Sequence, residues 1–253
     1  MADRDNAVSK TDYDEYAPTY AWARGAVPWV LQPLADSTRL LRVGAAVLEI
    51  GCGTGNYIRA LSEGRRDLVY VGFDVSGPML EQARGKGSSV TFIRADAAKR
   101  FPFADGAFGL AFAVDVIHHI ADLPCLFDQA RRVLLPGGQL TIVTDSETTL
   151  RRRSLTKFFP EILPIELARY PPLPLLHEEA WRAGLQLISQ AEATGQIALG
   201  VEFLTRLEAK SSSAMRLIEP QAHADGMARV RAAGARGEHW LSCYDVLLYR
   251  RNV

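Results

Sequence analysis

Short apolar runs separated by polar stretches organise the chain. Ala46 to Ile50 is one such run and ends in a glycine-rich turn. "LVYVGFD" closes at Asp74, "VTFIRAD" closes at Asp96, "AFGLAFAVDVI" is apolar almost throughout, and "QLTIVT" ends at Thr144. Runs of this length bounded by turn residues predict buried strands. Between them the apolar spacing becomes helical. Leu126, Ala130, Val133 and Leu134 fall on one face of a helix expected over Cys125 to Leu134, and "PGG" (Pro136 to Gly138) reads as the turn after it. Ser76, Gly77 and Pro78 form a helix start, in which serine caps and proline occupies the first turn. Two amphipathic helices, "YDEYAPTYAWA" and "VPWVLQPLADSTRLL", precede the first strand. Strand and helix alternate, which predicts a parallel sheet covered on both faces by right-handed crossovers.

The alternation stops after Thr144. Residues 145–176 are rich in proline and aromatic side chains and show no clear strand. A helix and a strand return in "HEEAWRAGLQLISQAEA", Gln196 to Glu238 reads mostly as helix, and "CYDVLLYRR" closes the pattern as a strand. One domain follows, residues 1–253. It divides into a helical lid over residues 1–42, a core over 43–145, and insertions over 146–176 and 196–239 that lie over the active site.

Composition narrows the function. Lys plus Arg number 29 and Asp plus Glu number 29, so no global charge draws nucleic acid or anionic lipid. The expected partner is a small-molecule substrate. Cys52, Cys125 and Cys243 form neither a disulfide framework nor a metal spacing, which points to a reducing, cytoplasmic setting. The first ten residues lack the apolar core of a signal peptide, and no apolar run reaches the roughly 20 residues a membrane span needs.

The chemistry concentrates in "VLEIGCGTGNY", Val47 to Tyr57. Glycine lets a ligand approach the main chain, and a helix start offers free N–H donors. The dinucleotide fingerprint is GxGxxG, whereas Gly51, Gly53 and Gly55 are spaced GxGxG. Glu49, two residues before Gly51, would repel a pyrophosphate but suit an ammonium or sulfonium; alternatively it caps a helix or pairs with a lysine. Asp74 stands where an acid accepts hydrogen bonds from ribose hydroxyls. Asp96 could take a proton from an exocyclic amine, with the Ala97 N–H bonding a ring nitrogen; both acids could also be ordinary turn residues.

"VLEIGCGTGNY", "VGFDVSGPMLEQAR", "FIRADAAKRFPF", "FGLAFAVDVIHHIAD" and "RRVLLPGGQLTIV" resemble the successive motifs of class I S-adenosylmethionine-dependent methyltransferases of the small-molecule type. The resemblance covers Val47 to Val143. It implies a Rossmann-like α/β three-layer sandwich with a seven-stranded, mostly parallel sheet, the last strand antiparallel, and helical lid segments. It also implies S-adenosyl-L-methionine as cofactor. Glu49 with the loop Gly51, Cys52 and Gly53 would hold its methionine end, Asp74 its ribose, and Asp96 and Ala97 its adenine, with Val75 and Met79 packed nearby. Val114 and Asp115 would open on the cofactor, and Tyr13 and Tyr20 of the first helix would fold over it.

In-line methyl transfer gains most from alignment and strictly requires no catalytic side chain. Where the acceptor has a proton to lose, His118 or His119 is the candidate base. Neighbouring residues on a helix diverge by about 100°, so at most one should face the site. Asp145 is a weaker option. The cluster "LRRRSLTK" (Leu150 to Lys157) reads first as a solvated helix face. Two other classes stay open: an NAD(P)-dependent oxidoreductase and a non-catalytic S-adenosylmethionine-binding protein. No feature of the sequence specifies the acceptor, the atom methylated or an oligomeric state.

Overall fold

A computed structural model describes residues 13–252. The five expected apolar runs form strands β1 (Ala46–Ile50), β2 (Val69–Asp74), β3 (Thr91–Arg94), β4 (Phe108–Val114) and β5 (Leu134–Thr144). Two longer strands follow, β6 (Leu185–Ala198) and β7 (His239–Arg251). All seven join one sheet in the order β3-β2-β1-β4-β5-β7-β6. Strands β1 to β5 pair in parallel, and β7 runs antiparallel to both β5 and β6.

Alternate strand residues feed two cores, one on each face. Leu48, Ile50, Ala111, Ala113, Leu140 and Ile142 point to one face. Val47, Leu110, Phe112 and Val143 point to the other. This period of two is why β4 reads as an unbroken apolar run: both faces are covered. Helices α5 (Leu123–Val133) and α9 (Leu173–Arg182) cover the first face. Helices α2 (Pro28–Thr38), α3 (Asn56–Gly64) and α4 (Gly77–Gly85) cover the second. Ser76 caps α4 by accepting from the Met79 N–H at 3.2 Å, as the Ser-Gly-Pro start predicts.

Helices α6 (Glu147–Arg152), α7 (Ser154–Phe158) and α8 (Ile162–Arg169) fill the stretch after β5. Helices α10 (Val201–Glu208) and α11 (Pro220–Ala235) fill the stretch after β6. The two stretches share a third core, built on Phe159, Ile162, Met215, Val230 and Trp240. They form one cap, although the sequence separates them.

Several boundaries differ from the sequence pattern, among them those around β5 and β6. The "PGG" turn lies inside β5, because pairing with β4 shifts from Phe108–Leu134 to Leu110–Gln139 and absorbs the extra residues in the ladder. The helix before it accordingly ends at Val133. Gln196 to Ala198 extend β6, held by backbone pairing to Leu241, Trp240 and His239 of β7.

Candidate active site

The carboxyl ends of β1, β2 and β4 open into a cavity of about 330 Å³. Open parallel sheets bind ligands at this edge. Helix α1 (Tyr13–Ala23) and the segment after it form one wall, and the cap forms the roof. Tyr20, Glu49, Gly51, Cys52, Gly53, Asp74, Val75, Met79 and Val114 all line this space.

The loop after β1 is shaped by two glycines in particular. Gly51 has φ +65°, and a Cβ there would fall 2.4 Å from Val116 Cγ2. Gly53 has φ +51°, and the nearest atom to a Cβ there is Tyr20 Cε1 at 3.9 Å. Thus Gly51 is required by packing, whereas Gly53 bares main chain toward the cavity. The Gly53 N–H donates to Asp74 Oδ2 at 2.8 Å, and the Ser76 N–H donates to Oδ1 at 2.9 Å. Asp74 is thereby fixed at the mouth of the loop, with acceptor capacity left on both oxygens.

Glu49 takes the helix-start role among those expected of it. Its Oε2 accepts from the Ile58 N–H in the first turn of α3 at 3.1 Å, and its side chain also lines the cavity. Burial raises its carboxyl well above the usual range, against the pull of that N–H. Burial likewise raises Asp74. Two desolvated carboxyls facing one cleft suit a positively charged ligand.

Asp96 and Ala97 lie one strand further out and do not line the cavity. Asp96 Oδ1 accepts from the Ala98 N–H at 2.9 Å, which is the turn geometry of a strand-end aspartate. Tyr13 begins α1, but its side chain lies outside the described residues.

Beyond Val114 the cavity becomes a second chamber. Asp115 sits at φ +52°, a conformation uncommon outside glycine. Its carboxylate gathers three segments: Arg24 binds Oδ2 at 2.8 Å, and the Tyr170 hydroxyl donates to Oδ1 at 2.5 Å. Burial alone would raise this carboxyl; His118, Arg24 and the Tyr170 hydroxyl outweigh it and draw it down to about 2.

His118 and His119 both line the cavity, contrary to the helical expectation. They occupy a single 3-10 turn, Ile117–His119, with ring centroids 3.9 Å apart. His118 stacks on Tyr170 at 4.1 Å, and its Nδ1 lies 3.9 Å from Asp115 Oδ1. Burial, then His119, lowers the His118 pKa well below that of a free imidazole. Burial and Arg169 lower His119 to about 4.

Sequence reasoning missed Arg24, Arg153, Glu166 and Tyr170. Arg153 was grouped with Arg151 and Arg152 on a solvated face. Those two do form exposed pairs, with Glu147 and Glu192, but Arg153 turns inward. It occupies the break between α6 and α7, in extended conformation at φ −70° and ψ 150°. There it binds Asp145 Oδ2 at 2.6 Å and also meets Glu166. The break rotates the Arg153 side chain off the helix face, and nothing in the run Arg151–Arg152–Arg153 marks it locally. Among the described residues, no group of three or more His, Cys, Asp or Glu gathers as for a metal, and no helix is long and apolar enough to cross a membrane.

The comparisons agree with this architecture. Residues 48–142 match the family described as "Methyltransferase domain". A Mus musculus protein named probable tRNA methyltransferase 9B is 34% identical over 135 residues, 51% of this chain and 28% of its own length. Malonyl-[acyl-carrier protein] O-methyltransferase of Legionella pneumophila is 31% identical over 150 residues, 58% of this chain and 52% of its own. The chain thus spans about half, or less, of the length of these curated relatives. Phosphoethanolamine N-methyltransferase 2 of Haemonchus contortus, solved in complex with S-adenosyl-L-methionine, superposes with a TM-score of 0.62. Its identity is 20%, and the match covers all of this chain and 61% of that one. Residues 48–142 are thus similar to a methyltransferase domain, and the chain shares the fold of a solved S-adenosyl-L-methionine-binding methyltransferase.

Proposed function

We propose that this protein transfers a methyl group from S-adenosylmethionine to a small organic acceptor. One observation carries the reading: the bare loop, with Glu49 and Asp74 beside it, is continuous with a chamber roofed by the cap. A site for the donor and a site for an acceptor therefore share one enclosed space. Its volume of about 330 Å³ lies within the range of small-molecule pockets. The balance of 29 basic and 29 acidic residues offers no broad attraction to a polynucleotide.

The residues fit the cofactor's chemistry. Gly53 would let its methionine end approach the main chain, and Glu49 would face its positive charge. Asp74 would accept from the ribose hydroxyls, and Val75 and Met79 would flank the adenine. Asp96 and Ala97 would approach the adenine edge from β3, and Tyr13 and Tyr20 would close over the site. When bound, the cofactor supplies an electrophilic methyl on a sulfonium. The protein's part is alignment: the β4 end and the cap hold the acceptor in line, and proximity of this kind is worth about 7–11 kcal/mol. Where the acceptor must lose a proton, His118 is the neutral base best placed for it.

The test is thermal unfolding with S-adenosylhomocysteine, NAD or NADP. At 100 times its dissociation constant a ligand adds about 2.7 kcal/mol to the folded state, and S-adenosylhomocysteine alone is expected to do so. Stabilisation by NADP alone would overturn the reading. Transfer of labelled methyl to a component of a small-molecule extract separates a catalyst from a protein that only binds.

A further inference from the structure

The two edges of the sheet are not alike. Strand β3 closes one edge with four residues, Thr91–Arg94, and carries a charge. A short, charged edge resists pairing with another chain. Strand β6 closes the other edge with 14 residues, Leu185–Ala198, and holds no lysine, arginine or proline. Its one charged residue, Glu192, is bound at 2.8 Å by Arg152 of the same molecule. A bulge at Ile188 breaks the register with β7 near the start of the strand, but Ser189 to Ala198 pair without interruption. Apart from the pairing with β7, no main-chain hydrogen bond links residues 186–198 to another described residue. Residues 186–192 are exposed throughout, as are Thr194, Gln196 and Ala198. The outer side of β6 therefore presents a long row of unpaired N–H and C=O groups, which is a template for a further strand.

Apolar side chains mark both ends of this edge. Leu187 and Ile188, 40% and 41% exposed, lie near its beginning, and Val201, 82% exposed, lies just past its end. Trp181, 79% exposed, stands one helical turn beyond His177, whose ring bonds Gln190 of β6 at 3.1 Å, and so lies on the β6 side of α9.

An antiparallel partner brings the beginning of one strand against the end of the other. A second copy of this chain meets that requirement along the whole edge. With a two-fold axis at Thr194, Leu187 and Ile188 of one copy fall beside Val201 of the other, Ala191 faces Ile197, and Glu192 faces Gln196 rather than a second Glu192. Self-matching contacts about a two-fold axis are the commonest kind in oligomers. The 29 basic and 29 acidic residues leave no net charge to hold two copies apart.

We infer that β6 is the interface for a second copy of this chain: two molecules pair antiparallel along it and join their sheets into one. The inference does not depend on the methyltransferase reading. Ile197, near the end of β6, lines the cavity, so the pairing also braces a wall of the site.

The test is sedimentation equilibrium of the full chain over a wide range of concentration, with hydrogen exchange read along residues 186–198. A reversible dimer is expected, and exchange along β6 is expected to slow as concentration rises. Thr194→Lys sets two positive charges opposite each other at the axis, and like charges so placed destabilise pairing. It is expected to raise the dissociation constant of the dimer at least about tenfold, roughly 1.4 kcal/mol, while the variant keeps the circular dichroism of the unaltered chain. Leu187→Lys, on the same edge, serves if the first variant does not fold. A chain that stays monomeric, a dimer whose affinity the folded lysine variant leaves unchanged, or exchange along β6 that ignores concentration would overturn the inference.

Discussion

Gly53 shows how one residue can set a loop's conformation and leave its main chain bare. Its φ of +51° disfavours any L side chain, and its missing Cβ leaves only Tyr20 at 3.9 Å. Gly53→Ala is therefore expected to cost about 1–2 kcal/mol of stability from backbone strain and to weaken S-adenosylhomocysteine binding further. Urea unfolding and calorimetry separate the two effects. Asp145 makes a different prediction. Burial, opposed by Arg153, raises its carboxyl from 3.8 to about 6. An acid raised on folding holds its proton more tightly in the native state, so its contribution to stability is greatest at low pH. That contribution fades as pH rises from about 4 through about 6. Asp145→Asn should flatten this part of the stability curve in unfolding midpoints recorded across that range; an unchanged curve would refute the assignment. Both residues differ in how far the sequence announced them. The placement of Gly53 and Asp74 at the cavity was legible because local geometry at a strand end sets it. Arg153 was not, because its partner Glu166 lies beyond a helix break, and composition cannot say which of three adjacent arginines turns inward.

At the scale of elements, the parallel strands were legible where burial on both faces leaves short apolar runs, most fully in β4. The cap was not. Its helices are short, and α8 and α10 each contribute few buried positions. Their stability comes from contacts between the two separated stretches, which no local period records. Phe159, fully buried, is central to that shared core. It lies so close to α11 that a Cβ on Gly226 would fall 2.1 Å from its ring. Phe159→Ala is expected to destabilise the protein by about 3–5 kcal/mol, read from denaturant unfolding. A loss below about 1 kcal/mol would mean that the cap holds together by other contacts.

For the whole molecule, the N-terminal helix, the β4 end and the cap meet at one carboxylate, Asp115, through Arg24 and Tyr170. The closure of the cavity is thus tied to these few atoms. The topology has a further consequence for how the molecule is made. Strand β7 lies between β5 and β6, two strands that precede it in the chain. Until residues 239–251 have left the ribosome, β5 and β6 each expose an unsatisfied edge, and neither can complete the sheet. Nascent chains halted before that point would present these edges to one another, so translation pausing between β6 and β7 would favour aggregation over folding.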